Sequence, residues 1–568
     1  MGIAFPVGIE SFSEIREGNF YYVDKTEFIN ELLSNQFKVN LITRPRRFGK
    51  TLTMSMLEDF FDISRDSKKY FSGLMITENA ALCDEWMNRY PVISLSLKSV
   101  EGLNFEEAIG MLHILIADLC KSNAFLEHSE KVNAADRELF IKLEYQNASL
   151  ANLKSALKLL TRMLSAHYGK QTILLIDEYD VPLAKANEEG YYKEMLDVIR
   201  SMLGAALKTN EFLKFAVITG CLRISKESIF TGINNVVANT ITTERFDECI
   251  GFTEADVQKI LTDASFTDHA EEAKIWYDGY RFGTVDVYCP WDVLNYVAAL
   301  QVNADTPPEN YWAATSHNGA IYKLFENEQF NVNEKFEALM SGESIREIIT
   351  EDLTYDTLEA SEENLWSLLY MTGYLTQAKE DKIKDLPKRA ISMGGGQYEI
   401  HEKIVDLRIP NEEVKSIFKT AIIDWFKKTV QTVDRTEIFH ALWDRNVQKA
   451  AADISNLLFS SISYHDYQES YYHAFVAGLF AGAGYIVQSN YEYGDGRPDV
   501  VIKEKRKRRV MLFEVKHAGK EQTLEQACDN AVEQIEKKRY AEVFDGYQTI
   551  ISYGIAFKGK NCMIKRYE

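Results

Sequence analysis

The sequence predicts an α/β chain of several domains, with a parallel-sheet unit in its N-terminal half and a smaller α/β unit at its C-terminal end. Three observations predict this. At 568 residues the chain has room for roughly three or four domains. Its N-terminal half holds three short apolar runs, 39–43, 172–176 and 215–219, each ending at polar or acidic residues and spaced for parallel-strand crossovers. Near its C-terminal end two apolar runs, 500–502 and 510–513, flank a charged segment from Lys503 to Arg509, which is the pattern of a β-hairpin. The expected divisions are 1–250, 251–435 and 436–568.

The composition narrows the class. At 46% hydrophobic and 26% charged residues the chain is an ordinary globular one. The uncharged stretch 474–487 is too short to span a bilayer. No basic region followed by an apolar core opens the chain, and Pro6 stands where a myristoylation signal needs Ser or Thr. The seven cysteines are scattered without close pairs, so neither a zinc pattern nor a disulfide framework is expected, and a reducing cytoplasm fits. A net charge of −21 repels nucleic acid at long range, so contact with it requires local positive charge. Lys503, Lys505, Arg506, Lys507, Arg508 and Arg509 are such a cluster; they equally suit a charged turn that blunts a sheet edge.

The first apolar run, 39–43, leads into Arg44-Pro-Arg46-Arg47-Phe-Gly49-Lys50-Thr51 and then a helical stretch, 52–61. A strand, a loop ending in Gly-Lys-Thr and a helix cradle phosphates through backbone N–H groups at the helix N-terminus. Lys50 is expected to reach the β and γ phosphates and Thr51 to ligate Mg²⁺. Arg44 stands where such loops carry their first glycine. The second run ends in Asp177-Glu178, an acidic pair suited to hold Mg²⁺ through water (Asp177) and to polarise an attacking water (Glu178). The third ends at Thr219, with Arg223 shortly after it and in position to meet a γ-phosphate.

The C-terminal hairpin carries a second chemistry. Centred between Arg506 and Lys507, it sets Asp499 across from Glu514, with facing Cβ atoms about 4.5–5.5 Å apart. Two carboxylates that close need a cation between them, and hard oxygen donors suit Mg²⁺. Lys516 shares a face with Glu514 and is placed to serve a water or a charged transition state. Glu-x-Lys also occurs at Glu272, Glu380, Glu413 and Glu536, so the tripeptide gains meaning only from the paired runs around it.

These residues resemble two families. Asp499, Glu514 and Lys516 resemble the acidic, acidic and lysine positions of the PD-(D/E)XK nuclease superfamily over about 464–553. The resemblance implies a restriction-endonuclease-like fold. It places Glu469 at the acidic position on the leading helix, and Gln534 and Tyr540 as the polar pair on the helix after the hairpin. The first 290 residues or so resemble the AAA-ATPase-like domain joined to such a nuclease domain in many bacterial proteins, a P-loop fold of the ASCE type. The residues that carry it are Tyr22-Val-Asp24-Lys25-Thr26, the loop 44–51, Asp177-Glu178-Tyr-Asp180, Thr219-Gly220 with Arg223, Asn234-Asn235, Gly251-Phe-Thr253-Glu254 and Trp276-Tyr-Asp-Gly-Tyr280. The resemblance implies ATP binding within the loop that contains Arg46, Arg47 and Gly49, and leaves hydrolysis open. A structural role is expected for Asp24 and Lys25.

Between the two, 251–430 shows no catalytic constellation. Thr253 and Asp256 open a helix, the aromatic run 276–282 reads as core, and 365–407 reads as a helix followed by a two-stranded, winged-helix-like wing. Pro410-Asn-Glu-Glu413 starts another helix, and a helical stretch, 436–460, leads into the hairpin region. The expected function is an ATP-regulated, Mg²⁺-dependent nuclease. Its expected cofactors are ATP and Mg²⁺, and its expected partner is nucleic acid, DNA before RNA. No membrane contact is expected, and a homo-oligomer is open because ATPases of this class often form rings. The alternative is a signalling or defence NTPase switch whose nuclease-like domain only binds nucleic acid or protein.

Overall fold

The computed structural model describes residues 3–223, 230, 235–312, 332–351, 353–355, 358, 361–378, 389–393, 396–400, 403–431, 435–461, 469–480, 485–489, 498–519, 522–538, 544 and 546–567. The chain forms two compact units, Met1–Ala320 with Ser344–Lys415, and Ile321–Glu343 with Ser416–Glu568. No described helix is long and apolar enough to cross a membrane.

In the first unit, β1 (Val39–Thr43), β2 (Val92–Ser96), β3 (Thr172–Asp177), β4 (Leu213–Gly220) and β5 (Val236–Asn239) form one sheet in the order β2-β3-β4-β1-β5. Every pairing is parallel. Each residue of β1 and β3 is buried, as continuous apolar runs covered on both faces require. The strand β4 stands between β1 and β3. The register pairs Thr43 with Gly220 and Ile176 with Ile218, so the carboxyl ends of the three strands finish together. Ligands of open parallel sheets bind at that edge.

The remaining described strands of this unit are antiparallel. β6 (Phe252–Thr253), β7 (Tyr280–Phe282) and β8 (Val285–Tyr288) form an antiparallel sheet in the order β6-β8-β7. Thr253 and Asp256 close a capping box at the start of the helix Glu254–Asp263, as expected. Tyr277, Tyr280 and Phe282 are buried, so the aromatic run is core. β9 (Ile345–Ile349), β10 (Thr376–Gln377) and β13 (Lys403–Arg408) form a second antiparallel sheet, and β11 (Arg389–Met393) and β12 (Gly396–Ile400) form a separate hairpin. The expected wing is therefore a hairpin beside a three-stranded sheet, because β13 pairs with β9 and β10 rather than with the hairpin. Asn411 accepts from the Val414 N–H at 3.0 Å and caps the helix Glu412–Gln431.

In the second unit, β14 (Ile486–Ser489), β15 (Val500–Glu504), β16 (Arg509–His517), β17 (Thr549–Lys558) and β18 (Asn561–Tyr567) run in sequence order across one mixed sheet. Only β16 and β17 are parallel, and the helix Leu524–Lys538 makes the crossover between them. Alternate residues serve opposite faces. Val500, Ile502, Met511, Phe513 and Val515 join a core with the helices of 436–480. Val501, Val510 and Leu512 pack on the other side with Ile535 of the crossover helix.

Two expectations are corrected here. The turn is tighter than 503–509: the ladder runs on to Glu504 and Arg509, whose side chains pair across it, and leaves Lys505 to Arg508 as the turn. The helical stretch 436–460 is two helices, Thr436–Trp443 and Val447–Ser461, because Arg445 takes a left-handed φ of 63° between them.

Candidate functional site

The phosphate loop leaves β1 at Arg44 and enters the helix Lys50–Phe61. Arg47 and Gly49 take φ of 70° and 89°, the left-handed conformations that turn successive N–H groups toward one concavity. Arg44, where a glycine is usual, is a buried strut. Its guanidinium donates to the carbonyl oxygens of Thr43 (2.9 Å), Asn239 (3.0 Å) and Phe246 (3.1 Å), and burial pulls its pKa down to about 10. Lys50 Nζ donates to the carbonyls of Arg44 (3.0 Å) and Pro45 (2.8 Å) and lies 3.7 Å from Cys221 Sγ. Arg46 is exposed, while the guanidinium of Arg47 lies over the Trp291 ring, 4.0 Å from its centre.

The acidic strand meets this loop. Thr51 Oγ1 donates to Asp177 Oδ2 at 2.7 Å, and Thr219 Oγ1 bonds Asp177 Oδ1. Thr51, Asp177 and Thr219, from three elements, thus share one carboxylate. Glu178 follows in a left-handed conformation, φ 52°, and burial raises its carboxyl above the usual range. Hydroxyl and carboxylate oxygens at the mouth of an N–H-lined loop are the hard donors that Mg²⁺ with a polyphosphate takes. Arg223 lies beyond β4, within electrostatic reach of Glu351.

Sequence reasoning missed a layer behind the site. Asp180 Oδ2 accepts from the N–H groups of Cys221 and Leu222, both at 2.9 Å, and fixes the turn after β4. Phe48 of the loop sits between Tyr280 and Phe282, each ring 5.0 Å away, and a Cβ placed on Gly373 would stand 2.9 Å from Pro45. Tyr280, Phe282 and Gly373 therefore hold the phosphate loop from behind. The sequence marked Asp180 only as part of the Asp177-Glu178-Tyr-Asp180 run, without this role. Asp24 and Lys25 make contacts within the fold. Asp24 accepts from Thr26 and Met75, and Lys25 pairs with Asp256 at 2.7 Å.

The second site stands on the hairpin. The ladder pairs Val500 with Phe513, and one further step sets Asp499 opposite Glu514. Asp499 Oδ2 accepts from the Val515 N–H at 2.8 Å, which fixes its carboxylate beside β16. Glu514 is 0% exposed and Asp499 9%. Lys516 Nζ lies 3.2 Å from Glu514 Oε1. All three are on the face that carries the crossover helix, on which Gln534 is half-buried. Glu469 opens the helix Glu469–Phe480. One turn on, Tyr472 stacks on His517, which brings that helix start to the Glu514–His517 end of β16. The side chain of Glu469 and Tyr540 lie outside the described residues. Two facing carboxylates fit a divalent cation with water completing its shell, and among the described residues no group of three His, Cys, Asp or Glu side chains is placed to hold one.

The basic cluster is at the far end of this hairpin. Lys505 is six residues from Asp499, about 20 Å along a strand. Lys507 and Arg509 pair with Glu504, Arg508 donates to the Gly546 carbonyl at 2.8 Å, and Arg509 lies over Trp443.

Comparison with known proteins settles both folds. Residues 6–230 match the family described as predicted AAA-ATPase, and residues 467–567 match the PD-(D/E)XK nuclease superfamily. The chain joins an AAA-ATPase-like domain to a PD-(D/E)XK nuclease superfamily domain. A relative, an uncharacterized protein of the vnfD 5′ region of Azotobacter chroococcum mcd 1, is 25% identical over 550 residues, 95% of this chain and 93% of that one. The similarity spans both domains and the segment between them. In the AAA-ATPase-like domain the strand inserted between β1 and β3 is β4, which delivers Thr219 to Asp177. In the PD-(D/E)XK domain Asp499 immediately precedes β15, and Glu514 and Lys516 fall on β16.

Proposed function

We propose that this protein is a nucleotide-controlled, Mg²⁺-dependent nuclease that cuts phosphodiester bonds, in DNA ahead of RNA. The observation that carries the reading is the register that sets Asp499 against Glu514 with Lys516 two residues on. A divalent cation held by the two carboxylates supplies a water of lowered pKa and a counter-charge for a phosphate oxygen. The protein's own part is positional. The Val515 N–H holds Asp499 in place, burial of Glu514 keeps competing water away, and Lys516 presents an ammonium to the charge that builds on phosphorus. In the other domain Thr51 and Asp177 would hold Mg²⁺ with ATP, Lys50 would neutralise phosphate oxygens and Glu178 would orient a water. Nucleotide occupancy is proposed to control cutting.

The test incubates the full chain with Mg²⁺ and single- or double-stranded DNA, with and without ATP, beside Lys516→Ala and Lys50→Ala. Cutting lost in Lys516→Ala with ATP binding retained supports the nuclease. Cutting by the Lys516→Ala protein equal to that of the native chain removes the site. Absence of cutting in both, with ATP still bound, favours the switch whose nuclease-like domain only binds, a reading in keeping with the net charge of −21 and with the paired state of the hairpin's basic tip.

A further inference from the structure

A chain with a net charge of −21 needs positive charge at the place where it holds a polyanion. The basic tip between β15 and β16 does not supply it at the carboxylates. It lies about 20 Å along the strand from Asp499, and Lys507 and Arg509 there pair with Glu504. The other end of the same sheet carries a second basic turn. β17 and β18 are joined by Gly559 and Lys560 alone, since Lys558 pairs with Asn561. Gly559 takes a φ of 57°, as the first position of so tight a turn favours. One lysine stands on each side of it.

The register brings this turn to the carboxylate site. Glu514 stands beside Gly554 and Lys516 beside Ala556, so Lys558 is the next residue of β17 on the face that carries Asp499, Glu514 and Lys516. One strand over and two residues on, its Cα is about 8 Å from that of Lys516. Exposure rises in the same direction. The side chain of Glu514 is 0% exposed and that of Lys516 20%, and Lys558 and Lys560 are half-buried, so the face opens toward the turn. The turn is held on both sides. Lys558 Nζ donates to the Gln522 carbonyl at 2.8 Å, just before the crossover helix, and Tyr472 Oη, from the helix that Glu469 opens, donates to the Gly559 carbonyl at 2.9 Å. We propose that the turn Lys558–Gly559–Lys560 holds a second phosphate of the nucleic-acid strand, beyond the phosphate at Asp499 and Glu514. Ammonium groups on a phosphate position the strand and read no sequence. The proposal rests on the nuclease reading above and assigns a substrate contact to that same site.

The experiment measures kcat and KM of the full chain in Mg²⁺ at several salt concentrations, on the single- or double-stranded DNA that the native protein cuts. The double variant Lys558→Gln with Lys560→Gln removes both charges and keeps an N–H for the Gln522 carbonyl. It is expected to raise KM about tenfold with kcat unchanged. The slope of log(1/KM) against log salt is expected to become shallower by about 0.7 on a single strand or 0.9 on a duplex, the share of one phosphate. Arginine at both positions restores the charge and is expected to recover KM and slope, which separates a lost contact from a damaged fold. Lys565→Gln, on the neighbouring strand and paired with Asp529 and Glu525, is expected to change neither. Native KM and slope in the glutamine double variant overturn the contact. A fall in kcat with KM and slope kept makes the turn structural and overturns it too, as does an equal change in Lys565→Gln. No cutting by the folded native chain overturns the nuclease reading, and the turn with it.

Discussion

Glu514 stands directly beside Gly554 in the parallel pairing of β16 with β17. The glycine has a reason that the carboxylate explains. A Cβ at 554 would lie 2.8 Å from Val532 Cγ2 and 3.0 Å from the Val532 backbone nitrogen, so the crossover helix reaches the sheet only because residue 554 has no side chain. That close approach covers the face on which Asp499, Glu514 and Lys516 stand. Gly554→Ala is expected to push the helix outward, to cost about 1–3 kcal/mol, and to reduce cutting more than nucleotide binding. Thermal unfolding and the two activities measured side by side check it. A variant as stable and active as the native chain removes the glycine's role.

The facing carboxylates predict a metal effect that needs no substrate. Mg²⁺ or Mn²⁺ that binds only the folded state adds about 2.7 kcal/mol at a hundred times its dissociation constant. Asp499→Asn keeps an oxygen that can accept from the Val515 N–H but removes one charge from the pair. The native chain is expected to melt higher with metal and to lose the gain on chelation. Asp499→Asn and Glu514→Gln are expected to show little of it, and because the phosphate loop has its own Mg²⁺ donors the comparison is made without nucleotide. An equal gain in the variants and in the native chain places the cation elsewhere.

How far the sequence reached is visible in these same residues. The hairpin centre between Arg506 and Lys507 follows from the symmetry of two apolar runs, and it fixes every pair down to Val500 with Phe513. The strands 39–43 and 172–177 were legible because fully buried parallel strands are unbroken apolar runs. The position of β4 between β1 and β3 was not, because strand order depends on neighbours far apart in the chain and leaves no local period. The same holds for the support behind the loop. Nothing in Gly373 or Trp291 marks them as partners of Pro45 and Arg47, more than 240 residues away. The aromatic run 276–282 reads as core, and it is core; that this core grips Phe48 of the phosphate loop emerges only in three dimensions.

Arg44→Gly restores the residue usual at the head of such loops, and the structure predicts that it harms this one. The Arg44 guanidinium is 0% exposed and satisfies carbonyls at the ends of β1 and β5 and in the segment after them. Removing it leaves those buried oxygens unpaired, at about 1–3 kcal/mol for each that water cannot reach. Gly at 44 is expected to lower the unfolding midpoint and to weaken ATP binding, because Lys50 is held by the carbonyls of residues 44 and 45. Arg44→Lys, with one cation but no planar fork, is expected to recover only part of both. Calorimetric unfolding and ATP titration of the two variants decide it, and native-like behaviour of the glycine variant denies the strut.

Asp292 and Glu413 give the first unit a pH dependence. Both are 0% exposed; Asp292 lies on the helix Pro290–Val302 and Glu413 in the first turn of Glu412–Gln431. Burial pushes both carboxyls above the usual range, and Glu413 is pushed further by the charge of Asp292 beside it. Around them, Arg47 and the N–H of Trp312, 2.9 Å from Glu413 Oε1, act in the opposite direction without reversing it. A raised folded pKa means that the folded state holds the proton more tightly than the unfolded one. The stabilisation is then complete below the unfolded carboxylate pKa, about 4, and is lost as pH rises through the folded values. Glu413→Gln stays neutral at every pH and keeps an oxygen for Trp312. Its unfolding midpoint is expected to match the native chain near pH 5 and to exceed it increasingly toward pH 9, by about 1.4 kcal/mol for each tenfold by which folding tightens the hold of the native carboxyl on its proton. Parallel urea titrations at pH 5, 7 and 9 measure the gap, and a gap constant with pH means that folding does not raise the Glu413 carboxyl.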